Sequence, residues 1–168
     1  MEQSAGGHLA LLTALHLLST RPDFSFAGLL LHFGCYDLSA FLPHVHHHAA
    51  ALVIDHDVMS SYITALLPNT TEAQRRDPSI SPFWADLRQY RGRLPKALFT
   101  CGSEDPLLDD SVMMGAKWAM HGGESVVKIY RGAPHGFIGF PPGTIPSVQR
   151  VLDDMGQFIA EAMERVVM

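Results

Sequence analysis

The sequence contains little cysteine, no long hydrophobic run and no cluster of basic residues. Cys35 and Cys101 each follow an apolar segment, which predicts two buried, reduced thiols and argues against a disulfide framework. No apolar run is long enough to cross a membrane, so we expect no membrane-spanning segment. The formal net charge of −5, with no Lys/Arg-rich stretch, argues against a nucleic-acid-binding surface.

The amino terminus has no basic region followed by an apolar core, so it does not resemble a signal peptide, and we expect a cytoplasmic location. The apolar fraction is 47% and the charged fraction is 17%, which is typical of a compact chain and not of a disordered one. A chain of 168 residues is long enough to bury a hydrophobic core, so residues 1–168 are predicted to form a single domain.

Short apolar runs at residues 26–33 and 96–101 predict two buried strands, the first buried on both faces, and residues 126–130 predict a third strand. Apolar periodicity predicts four helices, at residues 5–19, 55–67, 107–121 and 148–167. Strands that alternate with helices predict an α/β fold with a mostly parallel sheet flanked by helices. In such a sheet the loops that leave the C-terminal ends of the strands carry the functional groups.

The same periodicity predicts which face of each helix is apolar. The predicted faces comprise Leu9, Leu12, Leu15, His16 and Ser19, widened by Leu11, Leu17 and Leu18; Val58, Met59, Tyr62, Ile63 and Leu66; Val112, Gly115, Ala116 and Ala119; and Val151, Leu152, Met155, Phe158, Ile159 and Met163. Residues 34–51, 68–82 and 131–144 are predicted to be loops or short turns, because proline, glycine and polar residues interrupt them. Residues 83–92 give no clear prediction.

Ser4 stands at the start of the first predicted helix and is followed by the small residues Ala5, Gly6 and Gly7. One interpretation is an N-cap, in which the hydroxyl accepts a hydrogen bond from a free backbone N–H of the first turn. The other is a nucleophile on a sharp strand-to-helix turn, where the helix N-terminus favours developing negative charge.

Two residues further along the chain favour the nucleophile. Asp105 follows one predicted strand and His135 follows the next. A serine hydroxyl needs a neighbouring base, and imidazole is a suitable one. The base in turn needs a carboxylate that holds its tautomer. The alternatives are that Asp105 is a turn residue and His135 a loop residue, while Asp109 and Asp110 belong to the first turn of a helix.

Three stretches resemble the hormone-sensitive lipase family of esterases, which are α/β-hydrolases. Residues 4–10 (Ser-Ala-Gly-Gly-His-Leu-Ala) match the family's nucleophile elbow from the serine onward. Residues 94–109 match its strand and catalytic-acid loop, and residues 131–137 (Arg-Gly-Ala-Pro-His-Gly-Phe) match its histidine loop. Residues 77–82 resemble the segment that precedes the acid strand, so the resemblance spans nearly the whole chain.

The resemblance implies a partial α/β-hydrolase fold that is N-terminally truncated, because the family's His-Gly-Gly-Gly oxyanion loop and early strands have no counterpart in the sequence. It implies a serine hydrolase that acts on small carboxylic esters through an acyl-enzyme. The implied triad is Ser4, Asp105 and His135, with the backbone N–H of Ala5 as oxyanion donor and no cofactor or metal. The chain departs from the elbow pattern at Glu2, where the family has glycine.

The alternative hypothesis is a catalytically inactive hydrolase fragment that acts as an interaction protein. In the family, the elbow strand covers the strand predicted at residues 26–33. Without that cover, the strand is expected to form an exposed apolar edge that pairs two copies into a homodimer.

Four histidines, His44, His46, His47 and His48, lie in one predicted loop. Imidazole is a good metal ligand, but adjacent histidines diverge in most backbones, and no Cys or acidic residue stands at a suitable spacing. We therefore expect no metal site and predict a loop beside the entrance of the active site. Five further residues either line an acyl or alcohol pocket or pack in the core: Phe83, Trp84, Phe137, Ile138 and Phe140.

Overall fold

The computed structural model describes residues 2–48 and 52–167, in which four strands and six α-helices follow one another. The strands are β1 (Glu2–Gln3), β2 (Leu29–His32), β3 (Ala97–Glu104) and β4 (Ser125–Pro134). The helices are α1 (Ala5–Thr20), α2 (Pro43–His47), α3 (His56–Leu66), α4 (Glu72–Arg75), α5 (Leu108–Met120) and α6 (Pro146–Val167). None of the helices in these residues is both long enough and apolar enough to span a membrane.

The four strands form one parallel sheet in the order β1-β2-β3-β4, which confirms the predicted mostly parallel α/β fold. Parallel pairing brings the C-terminal ends of all four strands to one edge of the sheet. Three of the predicted site residues follow those ends directly: Ser4 after β1, Asp105 after β3 and His135 after β4. The sheet topology therefore gathers the three residues at one edge.

Strand β1 is one strand more than the sequence predicted, and it changes the expected sheet edge. Glu2 lies opposite Leu31, and Gln3 lies opposite His32. The expectation that the strand at residues 26–33 is a fully uncovered edge is therefore wrong for its C-terminal half. Leu29 and Leu30 have a strand partner only in β3 among the described residues.

Helices cover both faces of the sheet. On one face, α1 and α5 bury a cluster that includes Leu15, Leu31, Phe99 and Trp118. The indole Nε1 of Trp118 also donates a hydrogen bond to a backbone carbonyl, 2.9 Å away, so this large side chain is buried with its polar atom satisfied. The other face is covered by α6, which contributes Val151 and Met155 to a second cluster with Tyr130 and Phe137.

The buried faces of α1 and α5 match the predicted ones only in part. In α1 the predicted Leu11, Leu15 and Leu18 are buried together with Ala14, whereas the predicted Leu9 is 61% exposed. In α5 only Gly115 of the predicted face is buried. The helix buries Ser111, Met114 and Trp118 beside it and exposes the predicted Val112, Ala116 and Ala119. In both helices apolar residues occur on more than one face, so their spacing did not identify the face that meets the sheet.

In α6 only half of the predicted stripe is buried. Val151, Met155 and Phe158 pack against the sheet, whereas Leu152, Ile159 and Met163 are exposed. In α3 the buried side chains are Met59 and Ile63, and Tyr62 and Leu66 are exposed.

All three segments predicted as loops or short turns contain regular structure, and the short helix α4 lies within residues 68–82. Strand β4 continues to Pro134 in the segment predicted as a glycine- and proline-rich loop, because Pro134 lies opposite Glu104 of β3. This pairing includes a register shift between Gly102 and Glu104 and places Asp105 and His135 side by side. The loop predicted at residues 34–51 contains α2, and its end at residue 51 lies outside the described residues. Short 3-10 helices form at Pro82–Trp84, Leu87–Tyr90 and Phe137–Gly139.

Candidate active site

Ser4 occupies a sharp turn between β1 and α1. Its backbone has φ 54° and ψ −122°, a conformation that residues with a Cβ rarely adopt. The backbone N–H of Ser4 donates to the carbonyl oxygen of His32, at 2.9 Å. Gly7 packs closely against the end of β2, since a Cβ there would stand 3.3 Å from the same oxygen. The small residues after the serine therefore let α1 begin close against the neighbouring strand.

The hydroxyl of Ser4 does not cap α1, which rules out the N-cap interpretation for this side chain. Its Oγ lies 2.8 Å from Nε2 of His135 instead. The other ring nitrogen of His135, Nδ1, lies 2.9 Å from Oδ2 of Asp105. The three side chains thus form one continuous chain of hydrogen bonds, in the arrangement that a serine, a base and an orienting carboxylate require.

Asp105 and His135 are both held in place by their surroundings. Asp105 is fully buried, and its second oxygen, Oδ1, accepts a hydrogen bond from the backbone N–H of Leu107 at 2.9 Å. The His135 ring packs edge-on against Phe33, with the ring centroids 5.0 Å apart. Gly136 follows with φ 71°, a left-handed conformation that glycine adopts without strain.

Asp109 and Asp110, the two acidic neighbours of Asp105, lie in the first turn of α5 as predicted, and both have other partners. Oδ2 of Asp109 accepts a hydrogen bond from the backbone N–H of His44, at 2.9 Å. Oδ1 of Asp110 accepts one from the N–H of Tyr36 at 2.5 Å and one from that of Asp37 at 3.1 Å. Asp110 therefore ties the loop after β2 to α5.

Asp110 was not identified as unusual from the sequence. It is completely buried, and its Oδ2 has no hydrogen-bond partner among the described residues. Burial raises the pKa of Asp110 to about 7, although the two backbone N–H groups oppose the shift. No pattern in the sequence could have revealed this, because a first-turn aspartate usually faces solvent.

The two cysteines are free and buried, which confirms the prediction. Burial is the main cause that raises the pKa of each thiol well above its ordinary value. A thiol with a raised pKa carries little thiolate at neutral pH, so neither cysteine has the properties of a nucleophile.

An apolar cleft of about 390 Å³ opens beside Ser4, between α1 and α3. Its lining includes Leu9, Leu12, Met59, Tyr62, Ile63 and Leu66. The exposed leucines and the tyrosine that periodicity had assigned to buried helix faces are thus walls of this cleft. The predicted pocket residues Phe83, Trp84, Phe137, Ile138 and Phe140 do not line it, and Phe137 packs in the core.

His8 is a second site residue that the sequence did not single out. It stands one helical turn after Ser4 and lines the same cleft. Its Nδ1 donates to the carbonyl oxygen of Cys35, at 2.6 Å. Burial lowers the pKa of His8, and the hydrogen bond to Cys35 partly offsets that effect.

Two of the four clustered histidines, His44 and His48, place their rings 5.1 Å apart at the two ends of α2. His46 donates from Nε2 to the carbonyl oxygen of Ala40, at 2.7 Å. Within residues 2–48 and 52–167, no three histidine, cysteine, aspartate or glutamate side chains converge so that they could hold a metal ion.

A sequence model of the alpha/beta hydrolase fold family matches residues 3–139, and the chain belongs to that family. The solved structures that the chain resembles include esterases. One is a hyperthermophilic esterase from the archaeon Pyrobaculum calidifontis, at 22% identity and a TM-score of 0.80. Another is carboxyl esterase 2 from the mycorrhizal fungus Tuber melanosporum, at 18% identity and a TM-score of 0.84. A third, from a metagenome library, is described as an HSL homologue, at 22% identity and a TM-score of 0.79.

These matches cover nearly all of this chain and about half of each relative. The shares are 98% and 50% for the archaeal esterase, 94% and 51% for the fungal one, and 95% and 52% for the HSL homologue. The chain therefore spans about half the length of the structures it matches. The resemblance stated from the sequence is confirmed at the level of the family and of a partial α/β-hydrolase fold.

Proposed function

We propose that this chain is a serine hydrolase that cleaves small carboxylic esters. Ser4 is the nucleophile, His135 is the general base and then the general acid, and Asp105 orients the imidazole. The observation that supports the proposal most directly is the hydrogen-bonded chain from Ser4 Oγ through His135 to Asp105, with distances of 2.8 and 2.9 Å. The matched structures, which are named as esterases, support the same class of reaction.

The reaction begins when Ser4 Oγ attacks the ester carbonyl carbon and its proton passes to Nε2 of His135. Nδ1–H of His135 donates to Oδ2 of Asp105, which stabilises the imidazolium that forms. The negative charge on the former carbonyl oxygen lies at the start of α1, where the backbone N–H of Ala5 is the proposed donor.

Collapse of this intermediate breaks the bond to the alcohol oxygen. That oxygen leaves with the proton from His135, and the acyl group remains on Ser4. A water molecule then gives its proton to His135 and attacks the acyl carbon. Return of that proton to Ser4 Oγ releases the carboxylic acid and regenerates the enzyme, without a cofactor. The apolar cleft beside Ser4 is the proposed site for the hydrocarbon part of the ester.

A fluorophosphonate probe tests the proposal, because it reacts preferentially with an activated serine. We expect the purified chain to be labelled at Ser4, as identified by mass spectrometry of the modified peptide. Ser4→Ala and His135→Ala should abolish labelling, whereas Ser19→Ala, at an exposed serine of α1, should not. A folded sample that is not labelled would overturn the proposal.

A second candidate function is that of an inactive interaction protein that pairs through its sheet edge. It is favoured by one observation: β1 is two residues long, so half of β2 has no strand on that side among the described residues. Unpaired edges are templates for strand addition, and the partner would be a second copy of this chain. Native mass spectrometry over a hundredfold dilution tests this idea, and a monomer at every concentration would dismiss it.

A further inference from the structure

Of the two ring nitrogens of His8, only Nδ1 has a hydrogen-bond partner among residues 2–48 and 52–167. The carbonyl oxygen of Cys35 lies 2.6 Å from Nδ1, and a carbonyl can only accept, so the ring proton is on Nδ1. In the neutral ring, Nε2 then carries a lone pair and can only accept a hydrogen bond. Because burial lowers the pKa of His8, the neutral form prevails at neutral pH.

Nε2 of His8 has no hydrogen-bond partner in the described part of the chain. Nε2 is also not one of the fully buried polar atoms that lack a partner, so it keeps some exposure to the cleft. His8 lines the cleft and lies one turn after Ser4, on the same side of α1. Nε2 is therefore an acceptor that remains accessible close to the reacting serine.

The rest of this part of the cleft offers little polar chemistry. Leu12, Met59 and Ile63 supply hydrocarbon walls, and the thiol of Cys35 is turned toward the carbonyl oxygen of Asp37, at 3.6 Å. An apolar wall discriminates weakly between substrates that differ by one small group. A hydrogen-bond acceptor discriminates more strongly between substrates, because it is left unpaired when a substrate without a donor binds.

We propose that His8 is a specificity-determining residue, whose Nε2 accepts a hydrogen bond from a hydroxyl or amide N–H on the part of the ester that lies in the cleft. The preferred substrates are then esters that carry such a donor near the carbonyl group, ahead of plain alkyl esters of the same shape. This inference rests on the proposed function, since it concerns selection at the same site.

A matched pair of esters tests the inference. In p-nitrophenyl 3-hydroxybutyrate and p-nitrophenyl 3-methylbutyrate, a hydroxyl and a methyl group occupy the same position. The measured quantity is the ratio of their kcat/KM values. His8→Asn keeps an amide N–H for the carbonyl of Cys35 but withdraws the acceptor from the cleft, and His8→Phe keeps the ring and removes both nitrogens.

We expect both variants to lower the hydroxy-to-methyl ratio by about two- to tenfold, which is what a neutral hydrogen bond of about 0.5–1.5 kcal/mol corresponds to. A ratio that stays the same while overall activity or stability changes would show that His8 only anchors α1 to the loop after β2. That outcome would overturn the inference.

A binding measurement separates this inference from the proposed function. With histidine labelled by ¹⁵N, the Nε2 resonance of His8 can be followed while 3-hydroxybutyramide or 3-methylbutyramide is added; neither amide is expected to react. We expect an upfield shift with the hydroxy amide only. If no ester is hydrolysed, the proposed function fails, and this shift still decides the role of His8. Equal shifts with both amides, or none, would overturn it.

Discussion

The backbone N–H of Ser4 donates to the carbonyl oxygen of His32, so the candidate nucleophile is fixed to the neighbouring strand through its main chain. Its positive φ angle of 54° is a conformation that costs a residue with a Cβ about 1–3 kcal/mol. The contacts around the turn must offset that cost, which is a common feature of residues at functional sites.

This strain predicts the order of stability of two variants. Ser4→Gly and Ser4→Ala both remove the hydroxyl, but only glycine adopts the backbone conformation without strain. We expect Ser4→Gly to be more stable than Ser4→Ala by about 1 kcal/mol in urea unfolding. Equal stability of the two variants would show that the turn relaxes when the hydroxyl is lost.

The hydrogen bond between Asp105 and His135 predicts a loss of activity without a loss of folding. Asp105→Asn keeps the size of the side chain, and its Oδ1 can still accept from Leu107, but the amide favours the wrong tautomer of the imidazole. We expect the rate of fluorophosphonate labelling to fall by about 10³–10⁴-fold, as in related triads. Asp109→Asn, one turn further along, is the control and should change the rate by less than about tenfold.

The close contact between β3 and β4 predicts that any side chain at Gly102 destabilises the fold. A Cβ at Gly102 would stand 1.9 Å from the carbonyl oxygen of Ala133, and backbone cannot move aside as a flexible side chain can. We expect Gly102→Ala to lower the free energy of unfolding by about 1–3 kcal/mol or more. Gly139→Ala is a matched control, because a Cβ there meets nothing within 4 Å. Similar losses in both variants would contradict the packing seen here.

The buried carboxyl of Asp110 predicts a pH dependence of stability. Its pKa is about 7 in the folded chain and about 3.9 in an unfolded one, so the folded state binds the proton more tightly. Stability from this group is therefore complete below about pH 4 and is lost as pH rises toward 7, at up to about 1.4 kcal/mol per pH unit.

Asp110→Asn removes this ionisation while it keeps an oxygen for the N–H groups of Tyr36 and Asp37. We expect the variant to lose less stability than the natural chain between pH 4 and pH 7, with a difference on the order of a few kcal/mol. Urea unfolding at several pH values measures it. Asp23→Asn, at an exposed position, should follow the natural chain, and an unchanged profile for Asp110→Asn would refute the prediction.

The cleft predicts how chain length affects hydrolysis, given the proposed function. Leu9 lines the cleft and is 61% exposed, so Leu9→Trp narrows the opening with little effect on the core. We expect kcat/KM for p-nitrophenyl hexanoate to fall by about tenfold relative to the acetate, which corresponds to roughly 1.4 kcal/mol. Leu152→Trp on α6, outside the cleft, should leave the ratio unchanged. An unchanged ratio in Leu9→Trp would show that the acyl chain binds elsewhere.

Much of the site was predictable from the sequence, because short stretches of chain carry it. Asp105 and His135 each follow a predicted strand, so parallel pairing was enough to place these two residues at one edge. Ser4 was assigned to the same site by the resemblance of residues 4–10 to the nucleophile elbow, because β1 was not predicted. The bounds of the strands were less predictable. The extension of β4 to Pro134 depends on its pairing with Glu104, which lies thirty positions away and leaves no local signal.

The sequence by itself determined the succession of β2, β3 and β4 with the four longer helices, and the order of Ser4, Asp105 and His135. Only the tertiary structure decided which helix faces are buried, because periodicity groups Leu9 with Leu12 but does not say whether they meet a sheet or a cleft. It also decided the properties of Asp110 and His8, since a pKa depends on burial and on partners brought in from distant parts of the chain. Residue types and their local spacing identify the candidate site residues, and packing between distant segments determines their burial and their hydrogen bonds.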